Sequence, residues 1–334
     1  MTRIPVLYAL VAALVVACGG GTLGVDATPD GSPDAVVEVA VDVATPDADP
    51  IDPGAPDTPA DEHVTPSVTC DQIGKAPADP AMVAPSGVAT NGSLVFVTDP
   101  AGGAILKYTD TLTFVERYQG FDGAMPAGVF EPYGIAVDAS KIYVTDTNDG
   151  NGRVLKATAS GLFEKAWGDG QNGGPDLKTP KAIVLADDTL YVADAADGTV
   201  YAFSPSGTLL RTVSQGVLQE PVALAVSGTQ LLVADTKAGE IVVLPIDGGE
   251  AKRLDLDGGL SEPVGLAVDV GRVFVTDRKS SRLVTGTAED TLLGWCGGEG
   301  AGSGQLSRPR GLAMLSGELF VADYGNKRLV KIHP

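Results

Sequence analysis

The chain has 334 residues, of which 44% are hydrophobic and 20% charged, with 43 glycines, 23 prolines and a formal net charge of −20. Frequent Gly and Pro with only 5% aromatics favour many short strands joined by turns, and no amphipathic helical stripe follows the first twenty residues. Eleven acids and Arg3 precede residue 70, so residues 70–334 carry −10, which excludes a nucleic-acid interface built on phosphate neutralisation.

At the N-terminus, Arg3 is followed by an apolar run from Val6 to Ala17 and then by Cys18. The run is too short for a comfortable membrane span and suits the core of a signal peptide. Val15-Val16-Ala17-Cys18 resembles the lipobox of bacterial lipoproteins. That resemblance implies removal of residues 1–17 and acylation of Cys18, and more than one acyl chain makes a stable anchor. Gly19 resembles the sorting position of outer-membrane lipoproteins, so the expected location is the cell envelope, lipid-anchored at the outer membrane. Residues 18–65 then form an acidic tether. Eight prolines fall between Pro29 and Pro66, and the stretch holds no Lys or Arg to offset its acids. Such a segment buries too little apolar surface to offset chain entropy, and its charges repel, so it stays extended.

Residues 66–334 repeat. Pro85, Pro132, Pro180, Pro221, Pro263 and Pro309 each stand fourteen residues before an aspartate: Asp99, Asp146, Asp194, Asp235, Asp277 and Asp323. The period of 41–48 residues is that of four-stranded propeller blades. Two residues after each proline comes Gly87, Gly134, Ala182, Ala223, Gly265 or Gly311, flanked by larger residues such as Ile135 and Leu266. Period two puts the small set on one face of an innermost strand and the large set on the other, so one blade's large face can fill its neighbour's small face. A second strand follows in every unit (LVFVTD, KIYVTD, TLYVAD, QLLVAD, RVFVTD, ELFVAD), then a third, and a fourth in five of the six. The expected fold is all-β: a six-bladed β-propeller of four-stranded blades. The sixth unit stops after its third strand, RLVKI, so the N-terminal segment 66–73 (PSVTCDQI) is expected to close the last blade.

PRGLA, LFVADYGNKRLVKI and the upstream GSGQL resemble NHL repeats, which build six-bladed propellers, and the resemblance extends over residues 70–334. The Asn-His-Leu triplet that names the family is absent; YGNKRL and TNDGNGRV stand in its place. Propellers host many functions, so function must be argued from the site.

The six aspartates occur in every unit, which points to architecture: each can accept backbone N–H bonds in the turn it opens. Asp146, Asn148 and Asp149 in DTNDGNG are the metal candidates, although EF-hand spacing fails there, and calcium is the one cofactor left open. The only histidines are His63 and His333, which excludes a Ser-His-Asp site or a His-based zinc centre inside the propeller. The candidate binding surface is the channel mouth, where residues flanking the repeat prolines converge: Glu131, Tyr133, Lys181, Glu220, Glu262, Arg308 and Arg310. Trp167 and Trp295, ending fourth strands, are expected to pack between blades. With Cys18 acylated, Cys70 and Cys296 form an even pair and a candidate disulfide. The functional expectation is a monomeric envelope lipoprotein presenting a non-catalytic propeller to a protein or glycan. A calcium-dependent hydrolase or lyase with its site at the channel mouth is the competing expectation.

Overall fold

The computed structural model describes residues 71–76, 81–170, 174–214 and 216–334. The leader 1–17, Cys18, the tether 18–65 and Cys70 lie outside the described residues. Six four-stranded antiparallel sheets form the propeller. Blade one holds Val88–Thr90, Leu94–Asp99, Ala104–Thr109 and Phe114–Tyr118, ordered from the axis outward. Blades two to five repeat that meander from Pro132, Pro180, Pro221 and Pro263, ending at Trp167, Ser214, Leu254 and Gly297.

Blade six has Leu312–Leu315, Glu318–Asp323 and Arg328–His333, and its fourth strand is Asp71–Lys75. The N-terminal clasp expected from the sequence is present. It runs Asp71–Lys75, so it continues beyond the expected limit at Ile73. Asp71 faces His333, and Lys75 faces Val330. Met82 and Ala76 then join Val88, Leu106, Phe320 and Leu329 in the core between blades one and six.

Among the described residues six hydrophobic clusters hold the ring together, each centred on two adjacent blades, with Ala195 of blade three joining that of blades four and five. Leu266 of blade five packs on Ala223 and Ala225 of blade four, and Leu224 of blade four meets Ala182 of blade three. The small and large faces of neighbouring innermost strands therefore interlock as the alternation requires. Close approach near the axis explains the glycines: a Cβ at Gly311 would stand 2.4 Å from the Ser86 carbonyl oxygen, and one at Gly265 2.3 Å from that of Arg310.

The two tryptophans sit between blades. Trp167 is buried between blades two and three beside Phe203, with ring centroids 6.2 Å apart. Trp295 packs against the blade four–five cluster, with the Arg282 guanidinium 3.5 Å above its ring. Cys296 is disulfide-bonded and packs with Leu319, Val330 and Ile332 between blades five and six.

Candidate functional site

The repeat aspartates are fully buried, and their partners explain the fourteen-residue spacing. In blades two to five the proline faces its aspartate across the first hairpin. The carboxylate thereby reaches the amides just ahead of the proline. Asp194 accepts from Lys178 N (2.6 Å) and Thr179 N (3.0 Å), and Asp235 from Gln219 N (2.8 Å) and Glu220 N (2.9 Å). Asp99 and Asp277 do the same with Val83, Ala84, Ser261 and Glu262. Some also accept from their own turn, as Asp277 does from Ser280 N at 2.8 Å. Each aspartate thus ties the incoming loop of its blade to the second strand, and a buried carboxylate tolerates burial because its lone pairs are filled.

Blades two and six vary the device. Asp146 accepts from Glu131 N (2.7 Å) and Arg153 Nε (2.8 Å), and Asp323 from Ser307 N and Arg328 Nε (both 2.7 Å). The arginines also reach loop carbonyls, Arg153 to Ala127 and Arg328 to Ala301 and Gln305. Asp146 is therefore occupied by an arginine. Asn148 opens a short 3-10 turn shared by Asp149, and its Nδ2 donates to the Asn151 carbonyl at 3.2 Å. Among the described residues, no three His, Cys, Asp or Glu side chains gather as a metal site.

The channel mouth is ringed by one residue from each blade, the one directly after each repeat proline: Ser86, Tyr133, Lys181, Val222, Val264 and Arg310. They line a cavity of about 90 Å³. Its floor is a second ring, Val88, Ile135, Ile183, Leu224, Leu266 and Leu312, which also lines the cavity entered from the opposite end. That opposite cavity is larger, about 300 Å³, but among the described residues no charged side chain lines it. Recognition chemistry is concentrated at the mouth.

Of the seven residues expected there, Tyr133, Lys181, Glu220 and Arg310 line the cavity. Glu131, Glu262 and Arg308, which precede their prolines, stand back from it. Glu131 accepts from Thr147 Oγ1 at 3.1 Å, and Arg308 lies 5.2 Å from the Tyr324 ring centroid. Glu262 pairs with Arg278, which does line the cavity. Arg278 and Thr236 were missing from the expectation. Each directly follows a repeat aspartate, and its amide bonds to the carbonyl of the residue preceding a proline: Thr236 N to Glu220 O, and Arg278 N to Glu262 O. The signal was present in the sequence as the fifteenth residue after each proline.

Charge and rings interleave at the mouth. Lys181 Nζ lies 3.5 Å from Glu220 and 5.6 Å from the Tyr133 centroid. The Arg310 guanidinium is 3.8 Å from the Tyr324 centroid and 5.6 Å from that of Tyr133. The hydrogen bond from Arg278 holds Glu262 below the usual carboxylate range, and Glu262 in turn raises Arg278. Two hydroxyls fix the backbone of this ring from the neighbouring blade: Thr98 Oγ1 donates to Tyr133 O at 2.6 Å, and Thr276 Oγ1 donates to Arg310 O.

Comparison with known proteins agrees with this architecture. The family model described as NHL repeat matches residues 306–332, which fall in blade six. No curated protein matches the chain. Solved propellers match at low identity. A gluconolactonase of Xanthomonas campestris superposes with a TM-score of 0.60 at 17% identity, over 79% of this chain and 88% of that one. Catalytically inactive virginiamycin B lyase from Staphylococcus aureus, a His-to-Ala variant, in complex with quinupristin, gives 0.54 at 15%, over 76% and 79%. The nidogen/laminin complex gives 0.53 at 22%, over 65% and 80%. These likenesses show a shared fold.

Proposed function

We propose that the chain is an extracytoplasmic lipoprotein, anchored through acylated Cys18 and spaced from the membrane by the tether 18–65. Its propeller binds an envelope glycan or protein at the channel mouth without catalysis. The observation that carries this reading is the mouth itself, where Tyr133, Lys181, Arg278 and Arg310 converge above an aliphatic floor. Such a concave site with a few convergent polar groups suits recognition. The same residues leave little for acid–base chemistry. Among the described residues no histidine stands at the mouth: His333 is exposed on the last strand, 3.2 Å from Glu318. The S. aureus lyase, by contrast, is catalytically inactive once one histidine is replaced by alanine. The acids nearest the mouth, Glu220 in its lining and Glu262 behind it, are engaged by Lys181 and Arg278.

A second reading, a calcium-dependent hydrolase or lyase, draws on the fold likeness to a lyase and a gluconolactonase. Elemental analysis of the purified full chain separates the two. Stoichiometric calcium, with turnover lost on chelation, supports the enzyme. Retention of an envelope saccharide by the metal-free folded chain, abolished in Tyr133→Ala, supports the binding protein. The anchor is tested separately: Cys18→Ser moves the protein from the membrane to the soluble fraction, and unchanged membrane recovery contradicts lipidation.

A further inference from the structure

We infer that the channel mouth takes a carboxylate, presented by a uronic-acid sugar, on Arg310. The inference rests on the mouth being a binding site and specifies the chemistry it accepts.

The charge balance of the mouth is uneven. Lys181 is paired with Glu220, and Arg278 with Glu262. Arg310 has no carboxylate partner among the described residues; its side chain makes one hydrogen bond, from Nη1 to Ser86 Oγ at 3.4 Å. Its Nε is buried and has no hydrogen-bond partner. That nitrogen has no accessible surface, so an incoming acceptor meets the terminal Nη1 and Nη2 where Arg310 lines the cavity. The guanidinium is flanked by the rings of Tyr324 and Tyr133, which supply cation–π attraction but accept no in-plane N–H bond. A planar fork held between rings, with one long hydroxyl contact and no carboxylate partner among the described residues, fits a bidentate carboxylate.

The excess at the mouth is one positive charge, which matches a monoanion better than a doubly charged phosphate. The surroundings favour a sugar as carrier. Glu220 can accept from ring hydroxyls, Ser86 and Tyr133 can donate or accept, and all three line the cavity with Arg310. The overall charge of −20 repels acidic ligands at long range, so recognition depends on this recessed cation.

The test is titration of the purified full chain with galacturonate, galactose, phosphate and an acetylated tripeptide ending in a free carboxylate. The Arg310 Nε–Hε signal is followed by NMR. Galacturonate is expected to shift that signal saturably and to bind at least about tenfold tighter than galactose or phosphate, the range of a charge-assisted hydrogen bond. Arg310→Gln is expected to abolish that preference, and Arg310→Lys to restore it in part. Equal affinity for galactose and galacturonate overturns the carboxylate inference while leaving the mouth a binding site. Tighter binding of the tripeptide overturns the sugar assignment. A galacturonate affinity unchanged in Arg310→Gln, or the absence of any shift, also overturns it; the binding reading is then judged by its own saccharide-retention assay.

Discussion

Asp235 and Pro221 face each other across the first hairpin of blade four, and the Asp235 carboxylate fills the two amides that precede the proline. This relationship makes the repeat legible. An antiparallel pair joined by a short turn fixes the number of residues between facing positions, so an architectural bond between them appears in sequence as a constant offset. Asp235→Ala leaves two amides at the mouth loop without their acceptor. It should lower stability by about 2–5 kcal/mol in urea unfolding. A loss below about 0.5 kcal/mol would place the aspartates outside the architecture.

Acid sensitivity should follow from Asp277 and Glu262. Burial alone would raise Asp277, but the amides of Glu262, Ser261 and Ser280 hold its carboxyl below the ordinary value, and Arg278 lowers Glu262. Both folded values lie below the unfolded ones. Their contribution is therefore full above the unfolded carboxylate range near pH ~4 and is lost as pH falls through the folded values. Asp146, raised chiefly by burial, acts in the opposite sense: its contribution is lost as pH rises through its folded value. Urea unfolding between neutral pH and pH ~3 should show a shallower acid decline for Asp277→Asn than for the wild type. Identical slopes would contradict the assignment.

Ring closure should depend on the N-terminal strand. Deleting Asp71–Lys75 removes the pairing partner of Arg328–His333 and exposes the blade-six edge. The melting temperature should fall by about 5–15 °C, and an unchanged value would refute the clasp. Gln72 pairs with Ile332, which packs with Cys296, so Cys70 is the expected disulfide partner of Cys296. Non-reducing peptide mapping should recover a Cys70–Cys296 peptide, and reduction should cost about 3–5 kcal/mol.

The mouth should be sensitive to packing from behind. A Cβ at Gly265 would stand 2.3 Å from Arg310 O and 2.5 Å from Thr276 Oγ1. Gly265→Ala should cost about 1–3 kcal/mol and displace Arg310. Ligand affinity should fall with it, whereas Gly271→Ala, where a Cβ meets nothing within 4 Å but a φ of +78° strains an alanine, should cost stability and leave binding intact.

Much of this was legible in the chain because blade geometry repeats. Proline spacing located every innermost strand, and the unfinished ending located the clasp. The mouth was half legible. Tyr133 and Lys181 on their strands, and Arg310 just ahead of its own, follow prolines where the blades converge at the axis, so position alone placed them. Arg278 and Thr236 arrive from the far end of the second strand, and only the hairpin register brings them beside Glu262 and Glu220. Glu131 and Arg308 were drawn toward the channel by adjacency in sequence. The structure turns them toward Thr147 and Tyr324 instead.

The central claim, that the mouth and not the far end of the channel is the binding site, can be read from four valines. Val222 and Val264 line the mouth, and Val226 and Val268 line the opposite cavity. Methyl NMR of the full chain titrated with envelope polysaccharide should shift Val222 and Val264 and leave Val226 and Val268 in place. Shifts confined to Val226 and Val268 would contradict the account.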